Sequence, residues 1–485
     1  MSARCIMVLG TTSGAGKSWL ATALCRYYAN QGLRVAPFKA QNMSNNARVV
    51  AAAGDGFGEI GSAQYFQALA ARAAPDVRMN PLLLKPEADT RSQVVLLGQA
   101  HAGLSAMPWR GRSLEVWPQI AAALDELRAE NDVVVIEGAG SPAEINLHES
   151  DVVNMRVARH ANARCLLVTD IDRGGAFAHL YGTWALLPED EQRLIRGFVL
   201  NKFRGDAALL APAPQWLRER TGVPVVATIP MQWNHGLPEE DGVFDDRPHG
   251  APGAVHTRVS VIAYPRISNL DEFQPLKNIA GVRLNWARSP ADVEGADWIV
   301  LPGSKATASD MAWLRAQGLD AAITAHAAAG RRVLGICGGL QMLGEAMIDT
   351  VGVDGNAAGL GLLPLVTSFE AGKTVRLADV RFGELHGVWR QLEGVPVRGY
   401  EIHHGQTAQH PAMAASGDLA RVVIPGIAWQ NGAGNVLGLY LHGMFEDARV
   451  LRALFGEQAL TLDAVFERMA HGVGQWFDPA SLALE

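Results

Sequence analysis

Cysteine is scarce in this chain. The 485 residues include four, Cys5, Cys25, Cys165 and Cys337, and none falls in a CxxC spacing. That excludes a disulfide framework and a zinc site built on cysteine pairs, and makes a reduced, cytoplasmic setting the expectation. No apolar run approaches the length needed to cross a bilayer, so no membrane association is expected. No Lys/Arg run is present and the net charge is −7, which argues against a general nucleic-acid binder. Internal repeats and low-complexity segments are also lacking. The opening "MSARCIMVLGTT" has one arginine and a short apolar run ending in a glycine turn, which reads as a first strand rather than a signal peptide. What remains is an ordinary soluble composition, 48% hydrophobic and 19% charged, in a chain too long for one core.

Two series of apolar, β-branched runs alternate with helical patterns. The first is "CIMVLG", "LRVAPF", "NDVVVIEG", "RCLLVTDI", "IRGFVLNK" and "VPVVATIP"; the second is "RVSVIAYP", "GVRLNWAR", "ADWIVLPG", "RRVLGICG" and "NVLGLYLHG". Each implies βαβ units and a mostly parallel sheet. Between them, "QWNHGLPEEDGVFDDRPHGAPGAVHTR" breaks into Gly, Pro, His and acidic residues. The expected organisation is an α/β domain over 1–232, a linker over 233–257, a second α/β domain over 258–450 and a helical tail over 451–485.

"GTTSGAGKS", Gly10 to Ser18, follows the first strand and precedes the helical "WLATALCRYY". It is a phosphate loop shifted at its start, with Thr11 where the first glycine usually stands. Thr12, Gly14 and Gly16 would turn backbone N–H groups towards phosphate oxygens, Lys17 would add charge, and Ser18 would ligate Mg²⁺. A metal needs carboxylates at neighbouring strand ends. Glu137, closing an apolar run in "VVVIEGAG", is the expected second Mg²⁺ ligand. Asp170 and Asp172 in "VTDIDRGG" also stand at a strand end, where turn formation is an equal explanation. Asn201 or Lys202 in "LNKFRGD" is placed to contact the adenine.

The lone cysteine in "GICGGLQ" stands between a strand and a helix-like stretch. A nucleophile on such a bend needs small neighbours, because side chains at Gly335 or Gly339 would block it. The amide at Gly338 and the loop "VLPGSKAT" with Gly303 would supply an oxyanion site, and His442 in "LGLYLHGMFED" a base. Gln341 lies one turn after the cysteine. Glu401, His403 and His404 lack a third ligand segment, so a structural or glutamine-pocket role is expected rather than a metal.

"GICGGLQMLGE" with "LYLHGMFED" resembles a class I glutamine amidotransferase domain, in which the cysteine attacks the side-chain amide of glutamine and releases ammonia. Many such domains carry a glutamate two residues after the histidine, where this chain has Met444; Glu446 is too far along to take its place. The resemblance is thus to the subgroup with a Cys–His dyad, and implies slow or synthetase-dependent glutamine hydrolysis. An ammonia source joined to a nucleotide site suggests amidation of a carboxylate through an acyl phosphate.

Over nearly the whole length, "PFKAQNMSNNA", "GEIGSAQYFQALAA", "MNPLLLKPEADTRSQVVLLG", "EGAGSPAEINL", "VTDIDRGGAFAHLYGT", "LNKFRGD" and "GYEIHHGQT" resemble the cobyric acid synthase family. That resemblance implies a dethiobiotin synthetase-like first domain and four amidations of adenosylcobyrinic acid a,c-diamide, at the b, d, e and g carboxylates, each using one ATP and one glutamine. No tightly bound prosthetic group is implied, and the oligomeric state stays open. In "KAQNMSNNA", one charge, Lys39, accompanies the amides of Gln41, Asn42, Asn45 and Asn46, groups suited to a ring bearing amides and carboxylates. Glu59, Gln64, Lys85, Glu144, Asn146, Asp170 and Asp172 are further substrate candidates in the matched segments. The alternative within enzymes is the a,c-diamide synthase or another amidase of this architecture; outside them, a partitioning ATPase with an inactive appendage.

Overall fold

The structure is a computed structural model and describes residues 3–52, 54, 56–88, 91–233, 235–238, 255–456 and 461–483. Most of the expected linker, residues 234 and 239–254, lies outside the described residues.

The first six apolar runs become β1 (Arg4–Gly10), β2 (Val35–Phe38), β3 (Val133–Glu137), β4 (Arg164–Asp170), β5 (Ile195–Phe203) and β6 (Val225–Pro230). They form one parallel sheet in the order β6-β5-β4-β1-β3-β2. Successive residues of β1 enter opposite cores: Met7 and Leu9 pack in one apolar layer, Ile6 and Val8 in the other. Burial on both faces explains why these runs are apolar throughout. The register sets Val8 beside Glu137 and Gly10 beside Val168, so the strand ends that carry the polar residues meet at one rim. Helix α1 (Lys17–Ala29) starts there, directly after the glycine loop.

The second series gives β7 (Thr257–Ile262), β8 (Val282–Ala287), β9 (Trp298–Leu301), β10 (Arg332–Ile336) and β13 (Val436–Leu439), and the structure adds two strands outside that series, β11 (Arg421–Ile424) and β12 (Ala428–Gln430). Their order is β8-β7-β9-β10-β13-β12-β11, the first five parallel and the last two antiparallel. Helix α2 (Gly338–Leu343) follows β10. A long antiparallel hairpin, Leu365–Arg381 with Pro396–Gln409, lies beside this sheet. A smaller one, Ala47–Ala51 with Phe57–Gly61, reaches towards it from the first domain.

The tail divides between the domains. Helix α3 (Ala448–Phe455) buries Val450, Leu451 and Leu454 in the second core. Helix α4 (Leu462–Trp476) returns to the first, where Val465, Phe466, Met469 and Val473 join the layer over α1. Buried Arg26 meets Glu467 at 2.7 Å and lies over the Phe466 ring, and Tyr28 donates to the Leu482 carbonyl at 3.1 Å. The chain therefore closes its N-terminal domain with its C-terminal residues. Phe466→Ala should cost about 3–5 kcal/mol, the usual range for emptying a phenylalanine site in a core. Denaturant unfolding checks this; an appended tail would leave the transition unchanged.

Candidate active sites

In the glycine loop, left-handed backbone falls on Gly14 (φ 73°) and Gly16 (φ 99°). A side chain on Gly16 would also run into the Asn201 amide. Thr11 does not disturb this: its N–H donates to the Val168 carbonyl at 2.9 Å, and its hydroxyl turns to Thr169 at 3.0 Å, away from the loop. Lys17 Nζ donates to the carbonyls of Thr12 and Gly140, at 3.1 and 3.2 Å. Asn201 donates to the Ala15 carbonyl at 2.9 Å, and Lys202 to the Gly14 carbonyl at 2.8 Å, so both brace the loop from behind. Asp170 pairs with Lys202 (3.1 Å) and Arg173 (3.4 Å), and Asp172 with Arg204 (2.7 Å). These carboxylates are neutralised beside the loop.

Glu137 is the hub of the site. Ser18 Oγ and Lys39 Nζ donate to its Oε1 at 2.8 and 2.9 Å, and Gln67 donates to its Oε2 at 2.5 Å. Burial alone would raise its pKa, but Lys39 and these hydrogen bonds outweigh it and hold the carboxyl below its usual range. Around it, Asn42 donates to Gln64 Oε1 at 3.3 Å. Gln41 Oε1, Asn45 Oδ1, Gln64 Nε2 and Gln67 Oε1 are buried without a hydrogen-bond partner. Orphaned polar atoms at this density are costly unless a ligand answers them. Asn46 turns elsewhere, its Oδ1 accepting from Leu270 N–H of the second domain at 2.9 Å. Glu144 and Asn146 are exposed on the loop after β3.

At the other site, Cys337 has φ 53° and ψ −107°, a conformation that costs a non-glycine residue and is held by the strand-to-helix bend. A Cβ on Gly335 would stand 2.7 Å from the Gly339 backbone, and one on Gly339 would overlap the Leu301 carbonyl. The small neighbours are thus a steric requirement. A Cβ on Gly338 would lie 2.9 Å from the Ser304 nitrogen. Gly303 lies against His442, whose Cε1 would be 3.0 Å from a Cβ there. Gln341 is buried, with Thr307 donating to its oxygen at 3.2 Å and its nitrogen donating to Tyr440 at 3.4 Å.

Similarity to known proteins bears on both sites. Residues 6–241 match the CobQ/CobB/MinD/ParA nucleotide binding domain, and residues 258–450 the CobB/CobQ-like glutamine amidotransferase domain. A cobyric acid synthase of Acidovorax sp. (strain JS42) is 82% identical over 480 residues, covering 99% of this chain and 97% of that protein. Those of Acidovorax ebreus (strain TPSY) and Paracidovorax citrulli (strain AAC00-1) are 81% and 79% identical, each over 99% of this chain and over 99% and 98% of their own. The chain belongs to the cobyric acid synthase family. Like other cobyric acid synthases it is an enzyme, a glutamine amidotransferase ligase with a nucleotide-binding domain that implies ATP use.

One expectation is corrected. The histidine is not left without an orienting carboxylate: Glu272 Oε1 lies 3.2 Å from His442 Nδ1, and its Oε2 accepts from Gly443 N–H at 3.1 Å. The carboxylate comes from the turn Leu270–Phe273, 170 residues before the histidine in sequence, so no spacing pattern could reveal it. Met444 is buried core, and Glu446 pairs with Arg48 at 2.6 Å. Tyr400 stacks on the His442 ring at 5.4 Å. Among the described residues no group of three or more His, Cys, Asp or Glu could hold a metal ion. Glu401 binds Arg376 and His403, and His403 stacks on Tyr440, forming a wall beside Gln341.

The domains meet between the two sites. Glu59 of the small hairpin accepts from Lys85 at 2.6 Å and from Lys373 of the second domain. Lys305, two residues after Gly303, reaches Gln93 at 3.4 Å. Burial depresses Lys305 to about 7 and Lys85 to about 8. Burial also pulls on the His442 imidazolium, but Glu272 and Cys337 outweigh it and raise the pKa from 6.5 to about 10. Stability from this pair is therefore complete below pH 6.5, falls as pH rises from there towards about 10, and is absent above. The unfolding free energy of the protein minus that of His442→Gln should shrink across that window. A constant difference would mean that the imidazole is neutral throughout.

Proposed function

We propose that this enzyme amidates the b, d, e and g carboxylates of adenosylcobyrinic acid a,c-diamide, consuming one ATP and one glutamine for each. The observation that carries the reading is the pairing, within one chain, of a phosphate loop facing an amide-lined cluster and a cysteine on a strained bend beside a carboxylate-oriented histidine.

Thr12, Gly14, Gly16 and Lys17 cradle the phosphates of ATP, with Asn201 bracing the loop. Ser18 and Glu137 present adjacent oxygens suited to a hard cation, and the unpartnered Gln67 oxygen beside them fits the same group. Mg²⁺ bound there would offset the charge on the phosphates. A substrate carboxylate oxygen attacks the γ-phosphorus, ADP leaves, and an acyl phosphate forms. Lys39, Gln41, Asn42, Asn45 and Gln64 face the corrinoid, with Glu144 and Asn146 at the mouth of the site. Glu59 and Lys85 line the seam through which nitrogen arrives.

In the second site Cys337 Sγ attacks the glutamine side-chain carbonyl carbon. His442 gives its proton to the leaving nitrogen, so ammonia departs and a thioester remains. Backbone amides near Gly303 and Gly338 take the oxyanion charge, and Gln341 forms part of the glutamine pocket. Water, giving its proton to His442, opens the thioester to glutamate and restores the thiol. Ammonia then displaces phosphate from the acyl phosphate and leaves the amide.

Cys337→Ala should abolish glutamine-dependent synthesis and retain synthesis from high ammonium at raised pH, because the thiol takes no part in carboxylate activation. Loss of both in a folded variant would refute the division of labour. Lys17→Ala should lower synthesis from either nitrogen source by about 10²-fold or more, because the acyl phosphate no longer forms. An unaffected ammonia-dependent rate would remove the loop from the chemistry.

A further inference from the structure

The carboxylate that orients His442 belongs to the second domain, yet the first domain holds it in place. Glu272 sits in a single 3-10 turn, Leu270–Phe273, and its neighbour Asp271 is bonded by Arg48 Nη2 of the small hairpin. Both residues of that ion pair are buried. The same guanidinium nitrogen lies 2.6 Å from Glu446, and the guanidinium sits over the rings of Tyr65, Phe66 and Tyr400 at 5.1–5.5 Å. Two further bonds fasten the turn. Leu270 N–H donates to Asn46 at 2.9 Å, and Asn269 donates to the Ala47 carbonyl and to the Tyr400 hydroxyl, both at 2.8 Å. Asn269 takes a left-handed φ of 56°, a shape that needs such support. Arg48 also lies against Gly443, the residue after His442, where a Cβ would be 3.7 Å from its Nη1.

We infer that Arg48 is a positioning residue through which the synthetase domain completes the glutaminase site. A buried carboxylate next to an unpaired one would repel it and seek water, so removing the guanidinium frees Asp271 and with it the adjoining Glu272. The His442 ring then loses its fixed orientation, although every residue of the glutaminase chemistry is still present. The hairpin strand that carries Arg48 begins eight residues after Lys39, which is bonded to Glu137 at the nucleotide site. One short segment thus touches both reaction centres, giving the ATP site a physical hold on glutamine hydrolysis. The inference rests on the reading of Cys337, His442 and Glu272 as the glutaminase.

The test uses full-length Arg48→Lys, Asp271→Asn, the double variant and Glu272→Gln. It measures glutamate release under saturating ATP and corrinoid, and amide formation from ammonium. Lysine keeps the charge but cannot match the planar fork. Arg48→Lys and Asp271→Asn should each lower the glutaminase kcat by about tenfold, with the glutamine KM and the ammonia-dependent rate within about twofold. The double variant should be no worse than the poorer single, because both act through one contact. Wild-type kcat in both single variants, multiplying losses in the double, or a parallel fall in ammonia-dependent synthesis would each overturn the inference. Full glutaminase in Glu272→Gln would instead sink the underlying reading of the site; an impaired Glu272→Gln beside unimpaired Arg48 and Asp271 variants would sink this inference alone.

Discussion

A charge taken out of water must find a partner with good geometry or give up its charge, and in this protein that constraint falls on the seam between the domains. Arg48 with Asp271 and Glu446, and Glu59 with Lys373, are buried pairings that cross between the two halves, with Lys85 joining Glu59 from its own side. Neither half alone completes the set: without the second domain Arg48 would lose both of these carboxylates and Glu59 would keep only Lys85, and without the first Asp271 would lose the Arg48 guanidinium. The domains are consequently parts of one structure, a point reinforced by α4, which lays the chain's last helices over its first. A buried ion pair is a poor source of net stability, but it is a strict specifier of arrangement. Here the arrangement it specifies includes His442 and the Glu272 carboxylate against it.

The two sheets solve the same problem in the same way. Parallel strands buried on both faces are apolar along most of their length, so polar groups collect where the strands end. Glu137 ends β3 beside the glycine loop that follows β1, and Cys337 directly follows β10 with His442 just beyond β13. The rims then supply different chemistry because different side chains lie next to them. The glycine loop carries left-handed glycines and Lys17; the Cys337 bend carries a strained thiol.

Much of this was legible in the chain. All eleven apolar runs are strands, because a run long enough for one strand and too short for a buried helix leaves little choice once glycine turns bound it. The glycine loop and the crowded bend at Cys337 were equally readable, since local backbone geometry dictates which residue types fit. Full-length similarity to cobyric acid synthases bears out the family that the motifs resemble. The tail was readable as helix, but its return to α1 was not: an amphipathic pattern says that one face is buried and nothing about what buries it.

What only the tertiary structure decided is the company each polar residue keeps. Met444 in place of an acid suggested a histidine without an orienting carboxylate, and by sequence alone that inference is sound. Folding brings Glu272 to His442 from a turn whose own sequence, "NLDEF", carries no mark of it. Asn46 looks like its neighbours Gln41, Asn42 and Asn45, yet it faces the other domain while Gln41 and Asn45 keep buried, unpartnered oxygens. Periodicity and turn chemistry are local, set by steric limits over a few residues, so a sequence states them directly. Pairing between distant charges depends on how whole layers pack, and only the folded chain expresses it.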